Sequence, residues 1–185
     1  MTSSIYYLPG HGGRLHTGLG EALASRGYEI SGRETAGDFR RLPFTEQIAI
    51  VADDLAAGHW QEDGMVIANS FGAYLFLNAQ ALLQPYIGKV LLLSPIVGEF
   101  SNEETRMGFI PPHSGKLLVL AEGGNFPTPK SCEIHVGEDD WQSDPRNVLT
   151  LAGHLGLAVT VVPNGGHNLE KTYVSRVLDR WLVHS

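Results

Sequence analysis

Short apolar runs alternate along the chain with longer stretches whose apolar positions recur every three or four residues. Residues 5–8, 28–30, 65–68, 90–93, 132–136 and 158–162 are compact apolar runs and read as strands. The run at 90–93 is apolar throughout, as a strand covered on both faces requires. Helical spacing predicts a helix over 17–26 that buries Leu19, Leu23 and Ala22 and stops at Gly27. A second helix spans 43–57, with Phe44, Ile48, Val51 and Leu55 on one face and Pro43 in the first turn, where its missing amide hydrogen costs nothing. Residues 71–84 form a nearly continuous apolar helix ended by Pro85, and 170–183 an amphipathic one through Tyr173, Val174, Val177, Leu178, Trp181 and Leu182. Between 98 and 129 the rhythm breaks at Pro111-Pro112, Gly123-Gly124 and Pro127-Thr128-Pro129. Within that stretch 116–122 fits strand or helix, and helix is favoured because Leu117, Leu118 and Ala121 share a face. Strands alternating with helices predict an α/β fold: a six-stranded parallel sheet in a three-layer α/β/α sandwich. No repeat, low-complexity tract or linker interrupts it, so residues 1–185 read as a single domain.

Composition narrows the class. Hydrophobic residues at 43% and charged residues at 18% suit a soluble globular chain, and no apolar stretch reaches the roughly 18 residues of a membrane span. A formal net charge of −7 opposes nonspecific attraction to nucleic acid or an anionic membrane; Arg40-Arg41 is the densest basic spot. Cys132 is the only cysteine, which excludes an intrachain disulfide and reads as a thiol buried within a strand. The first residues run into a strand without a basic segment ahead of a long apolar one, so no signal peptide is expected and a cytoplasmic location follows. The eight histidines show no zinc spacing, and His59, His113 and His154 read as surface residues. No metal or organic cofactor is expected.

The chemistry gathers at strand ends. Val66-Ile67-Ala68-Asn69-Ser70-Phe71-Gly72 turns an apolar strand through a serine directly into a helix. Such a sharp turn pushes the hydroxyl beyond the sheet edge and needs small neighbours, here Ala68 and Gly72. The helix start also supplies free amides and a positive dipole end. Alone, the segment reads equally as an N-cap serine. Ile134-His135-Val136-Gly137-Glu138-Asp139-Asp140 ends a strand in acidic residues; Glu138, Asp139, Asp140 and Asp144 are all candidates, and a solvated acidic loop is the plainer reading. Val162-Pro163-Asn164-Gly165-Gly166-His167 places a histidine just before the last helix, where it could also serve as a cap. The order Ser, Asp, His, each at the carboxyl end of a predicted parallel strand, would bring all three to one edge of the sheet.

With these motifs the chain resembles the α/β-hydrolase family, whose nucleophile elbow usually reads Gly-x-Ser-x-Gly; Ala68 stands here for the first glycine. The resemblance covers residues 5–181. It implies a minimal, lidless form, similar in size and layout to the retinoblastoma-binding serine hydrolase type, with strand order 2-1-3-4-5-6. It further implies Ser70 as nucleophile, His167 as base and Asp140, three residues after Gly137, as the acid. The backbone amides of His11, in the loop Pro9-Gly10-His11-Gly12-Gly13, and of Phe71 would form the oxyanion hole. The implied activity is hydrolysis of a small carboxylic ester or thioester through an acyl-enzyme. Trp141 and the aromatic residues between Phe100 and Phe126 are expected to shape the pocket, with His16 and Tyr74 as further candidates. Two rivals differ in kind. One is a noncatalytic binding protein on the same fold. The other is a nucleotide-binding α/β domain, for which Leu15 stands where the last glycine of a dinucleotide fingerprint belongs and Ser31-Gly32-Arg33 offers no acidic ribose partner.

Overall fold

The computed structural model describes residues 3–183. Its strands are β1 (Ser4–Leu8), β2 (Glu29–Gly32), β3 (Met65–Asn69), β4 (Lys89–Leu93), β5 (Phe100–Asn102), β6 (Met107–Phe109), β7 (Ser131–Gly137) and β8 (Ala158–Val162). Six of them form one sheet in the order β2-β1-β3-β4-β7-β8, and every pair in it is parallel. With β5 and β6 paired only to each other as an antiparallel hairpin, this is the strand order expected from the sequence.

Alternate residues of each strand face opposite layers, as the pleat dictates. Ile5, Tyr7, Met65, Ile67, Leu91 and Leu93 face α1 (Leu19–Ala24) and α7 (Lys171–Val183), meeting Leu23, Val177, Leu178 and Trp181. Tyr6, Leu8, Val66, Ala68, Val90 and Leu92 face the other layer. That layer holds α3 (Phe44–Asp54), α4 (Phe71–Gln80), α5 (Lys116–Glu122) and α6 (Pro145–Leu155). A short α2 (Gly37–Arg41) precedes α3, which ends in a π-helical turn, Leu55–His59. Helix α4 is buried from Gly72 to Gln80, which accounts for its unbroken apolar sequence.

Several elements differ from the sequence expectation. Helix α1 has six residues rather than ten, because Gly18 at φ 58° delays its start and the chain turns at Gly27. Helix α4 ends at Gln80, four residues short of the expected stop. Helix α6 and the β5–β6 hairpin are additions, whereas α5 lies where the face of Leu117 and Ala121 puts it. Cys132 is half-buried rather than enclosed, although burial, with Glu133 adjacent, pushes its thiol up to about 12. His59 is half-buried too: its Nε2 lies 3.1 Å from Ser31 Oγ and its ring packs on Tyr6. No helix among the described residues is long and apolar enough to cross a membrane.

Candidate active site

Ser70 occupies the single residue between β3 and α4, with φ 53° and ψ −121°. A non-glycine residue holds that backbone only when its surroundings impose it. Three hydrogen bonds do so: Ser70 N donates to Leu93 O at 3.0 Å, while Ser70 O accepts from Ile96 N at 3.2 Å and Tyr74 N at 3.3 Å. Strand and helix close tightly around the turn. A Cβ on Gly72 would collide with the carbonyl oxygens of Leu8 and Pro9, so only glycine fits. Ala68 is fully buried.

His167 lies between β8 and α7 and reaches the serine. Its Nε2 is 2.8 Å from Ser70 Oγ, and its Nδ1 is 3.0 Å from both oxygens of Asp140. These partners set the tautomer: Nδ1–H donates to the carboxylate, and Nε2 accepts from the serine hydroxyl. Asp140 is 1% exposed, and its Oδ1 also accepts from Gln142 N at 3.0 Å and Ser143 N at 2.8 Å. The loops carrying Asp140 and His167 are zipped together by backbone. Glu138 N donates to Val162 O at 2.9 Å, Asp139 N to Gly165 O at 2.8 Å, and Asn164 N to Glu138 Oε2 at 3.0 Å. Gly137 permits the approach, since a side chain there would strike the backbone of Gly165 and Gly166. Of the four acidic candidates, Asp140 is the one that meets the imidazole. Glu138 and Asp139 are exposed, and Asp144 caps α6 by accepting from Arg146 N.

The loop after β1 stands directly over the serine. A Cβ at Gly10 would lie 3.2 Å from Ser70 Cβ and 3.7 Å from its Oγ. Thr35, 2% exposed, pins this loop: its hydroxyl donates to Gly10 O and accepts from Gly13 N, and its carbonyl accepts from Gly12 N. The amides of His11 and Phe71 donate to no group among the described residues, and the two rings meet edge to face at 5.6 Å. Burial and nearby Arg40 lower the pKa of His11, favouring its neutral ring.

No family model and no curated protein sequence matches the chain. Solved structures do. A monoacylglycerol lipase from Paleococcus ferrophilus superposes with a TM-score of 0.71 at 13% identity, over 99% of this chain and 96% of that one. The ydeN gene product of B. subtilis gives 0.64 at 16% identity, over 98% and 100% of the two chains. Mouse alpha/beta hydrolase domain-containing protein 10 gives 0.67 at 14%, over 100% and 91%. The fold is that of the α/β hydrolases.

On this α/β-hydrolase scaffold two surfaces adjoin Ser70. On the α3–α4 side an aromatic wall runs from Tyr74 and Phe44, stacked at 5.6 Å, through Phe71 to Phe109, Phe100 and Trp141. Tyr74 itself is buried, its hydroxyl donating to Pro112 O at 2.6 Å, and His16 is exposed. On the α1–α7 side a cavity of about 520 Å³ borders Ser70 and His167. Neither Trp141 nor any residue of 98–129 lines that cavity, which differs from the pocket expected from the sequence. Sequence reasoning also passed over Asn69, Thr35 and Ser94. Asn69 accepts from the Tyr7 hydroxyl at 2.9 Å, and Ser94 accepts at its carbonyl from Ser143 Oγ at 2.6 Å. Ser94 could have been found by its place, directly after β4 at the same sheet edge; Thr35 carries no such signal.

Proposed function

We propose that the protein is a serine hydrolase that cleaves a small carboxylic ester or thioester. One observation carries this reading: an unbroken hydrogen-bonded line from the Ser70 hydroxyl through His167 to the enclosed carboxylate of Asp140. Ser70 attacks the carbonyl carbon while His167 Nε2 takes its proton, and the imidazolium then protonates the departing alcohol or thiol. Asp140 keeps the proton on Nδ1 and stabilises the charged ring. The amides of His11 and Phe71 donate to the developing oxyanion, an effect worth roughly 3 kcal/mol per donor. Water activated by His167 then attacks the acyl-enzyme, releasing the acid and restoring Ser70. The positive end of α4, which starts at Phe71, faces the same developing charge.

A fluorophosphonate probe and a panel of activated esters test the reading. Ser70→Ala is expected to fold normally and to lose on the order of 10⁴-fold or more in turnover, because residues of such a relay act as a unit. The probe is expected to modify Ser70 in the unsubstituted protein and to fail in His167→Ala. Folded Ser70→Ala that hydrolyses an activated ester at a near-normal rate overturns the assignment.

A further inference from the structure

The cavity on the α1–α7 face has a shape that the reaction steps alone leave unexplained. Helix α1 is only six residues long and buries only Gly20 and Leu23, and a space between α1 and α7 reaches down to Leu93 of the sheet. Leu19 and Ala22 from α1, Leu93 from β4, and Leu169, Val174 and Leu178 from the α7 side give that space its apolar surface, and Glu21, Asn168 and Lys171 also border it. At one end stand Ser70 and His167. At the other stands Arg26, just past the end of α1. Its guanidinium donates to Ala22 O at 2.8 Å, to Ser175 Oγ at 2.7 Å and to Asp179 Oδ1 at 2.9 Å. Arg26 therefore ties α1 to α7 across the far end.

We propose that this cleft is the acyl subsite of the hydrolase and selects medium-length alkyl chains, the chain running from Ser70 toward Arg26. This rests on the serine-hydrolase reading above. Three properties favour the acyl portion over the alcohol. The cleft is continuous with the nucleophile, so an acyl chain within it stays joined to Ser70 once the acyl-enzyme has formed. The larger part of its surface is hydrocarbon, which rewards each methylene taken out of water. Its far end is bridged by Arg26. An alcohol must leave before water attacks the acyl-enzyme, and one lodged behind the Arg26 bridge would have to retreat past the acyl group. An acyl chain stays in place through both halves of the reaction. The alcohol then faces the open side, toward the aromatic wall.

Nitrophenyl esters from acetyl to dodecanoyl, assayed on the full chain, test the assignment. The unsubstituted protein is expected to show its highest kcat/KM between hexanoyl and decanoyl. Val174→Trp fills the cleft and is expected to lower the octanoyl-to-acetyl ratio of kcat/KM by on the order of tenfold or more, since even one methylene in an apolar pocket changes kcat/KM by about that factor. Arg26→Ala removes the bridge at the far end and is expected to move the optimum the other way, toward longer chains. General loosening of the fold does not produce opposite shifts. Ala22→Phe, from the facing wall, carries the same expectation as Val174→Trp and replaces it if that variant fails to fold. A chain-length profile that neither filling nor opening moves, in protein whose Ser70 still reacts with the fluorophosphonate, overturns the subsite and leaves the hydrolase standing. Absence of both probe reaction and ester hydrolysis in the unsubstituted protein overturns the two together.

Discussion

Asp140 and Asp139 are neighbours with opposite surroundings: one carboxylate is enclosed and receives two backbone amides and an imidazole, the other is open to water. That contrast makes a test at the scale of one residue. Asp140→Asn keeps the size of the side chain but presents a group that no longer holds the Nδ1 proton in place. Its kcat on an activated ester is expected to fall by roughly 10⁴-fold. Asp139→Asn, at the exposed position beside it, is expected to stay within about twofold of the unsubstituted rate, as surface changes away from such features do. Equal losses in the two variants would reject Asp140 as the partner of His167. Ser70 and His167 were readable in the sequence because each sits on a turn with a chemical signature, a serine between small residues and a histidine after two glycines. The acid was not separable from Glu138 and Asp139 by residue type. Its distinction comes from the turn that aims Gln142 N and Ser143 N at one carboxylate, and from the zip between two loops. Thr35 was invisible for a related reason: its partners in the loop over Ser70 lie more than 20 residues away.

Among elements, the strands were the most readable and the short or exposed pieces the least. Helix α6 begins at Asp144-Pro145, the aspartate accepting from Arg146 N, and ends at Gly156 in the left-handed region, with Val148, Leu151 and Ala152 buried at helical spacing. Those signals lie in the sequence directly after the acidic motif at 138–140. The hairpin gave no comparable signal, since β5 and β6 have three residues each, β6 is wholly exposed, and the turn between them contains no glycine. The junction of β7 with α7 carries a second prediction. His135, 3% exposed on β7, donates from Nε2 to Glu133 Oε1 at 2.6 Å and accepts at Nδ1 from the Tyr173 hydroxyl at 2.6 Å, while Arg180 pairs with Glu133. Burial lowers its pKa below the ordinary histidine value, Glu133 opposes that shift and Arg180 adds to it. The sign follows from proton counting. Below about pH 6.5 the unfolded chain protonates this histidine while the folded chain resists, so stability is full above that pH and falls as the pH drops toward the lowered folded value. His11 and His59 are shifted in the same direction, so His135 supplies one of three such contributions. The difference in urea-unfolding free energy between pH 7.5 and pH 5.5, experimental settings chosen to bracket the ordinary histidine range, is expected to shrink in His135→Gln. An unchanged difference would show that His135 is not linked to folding.

At the scale of the whole molecule, the sheet carries the site and the hairpin only borders it. Parallel direction was readable because short apolar runs alternate with helices, whereas the strand order followed from the resemblance to the α/β hydrolases. Where the cavity opens was not readable, because it depends on how far the short α1 covers its face. Since β5 and β6 pair only with each other, replacing residues 99–110 with a short Gly-Ser linker is expected to leave cooperative unfolding intact and Ser70 reactive toward the fluorophosphonate. KM for esters with bulky alcohols is expected to rise, because Phe100 and Phe109 leave the aromatic wall. Loss of cooperative unfolding in that variant would show that the hairpin supports the sheet itself.

Ser70 and His167 are 97 positions apart, and the histidine follows β8, which forms an outer edge of the sheet. A ribosome therefore releases the serine well before it has made the imidazole that lies against it. A nascent chain halted before β8 would hold Ser70 without its imidazole partner, so under the proposed mechanism the hydroxyl would gain a general base only after β8 has been made.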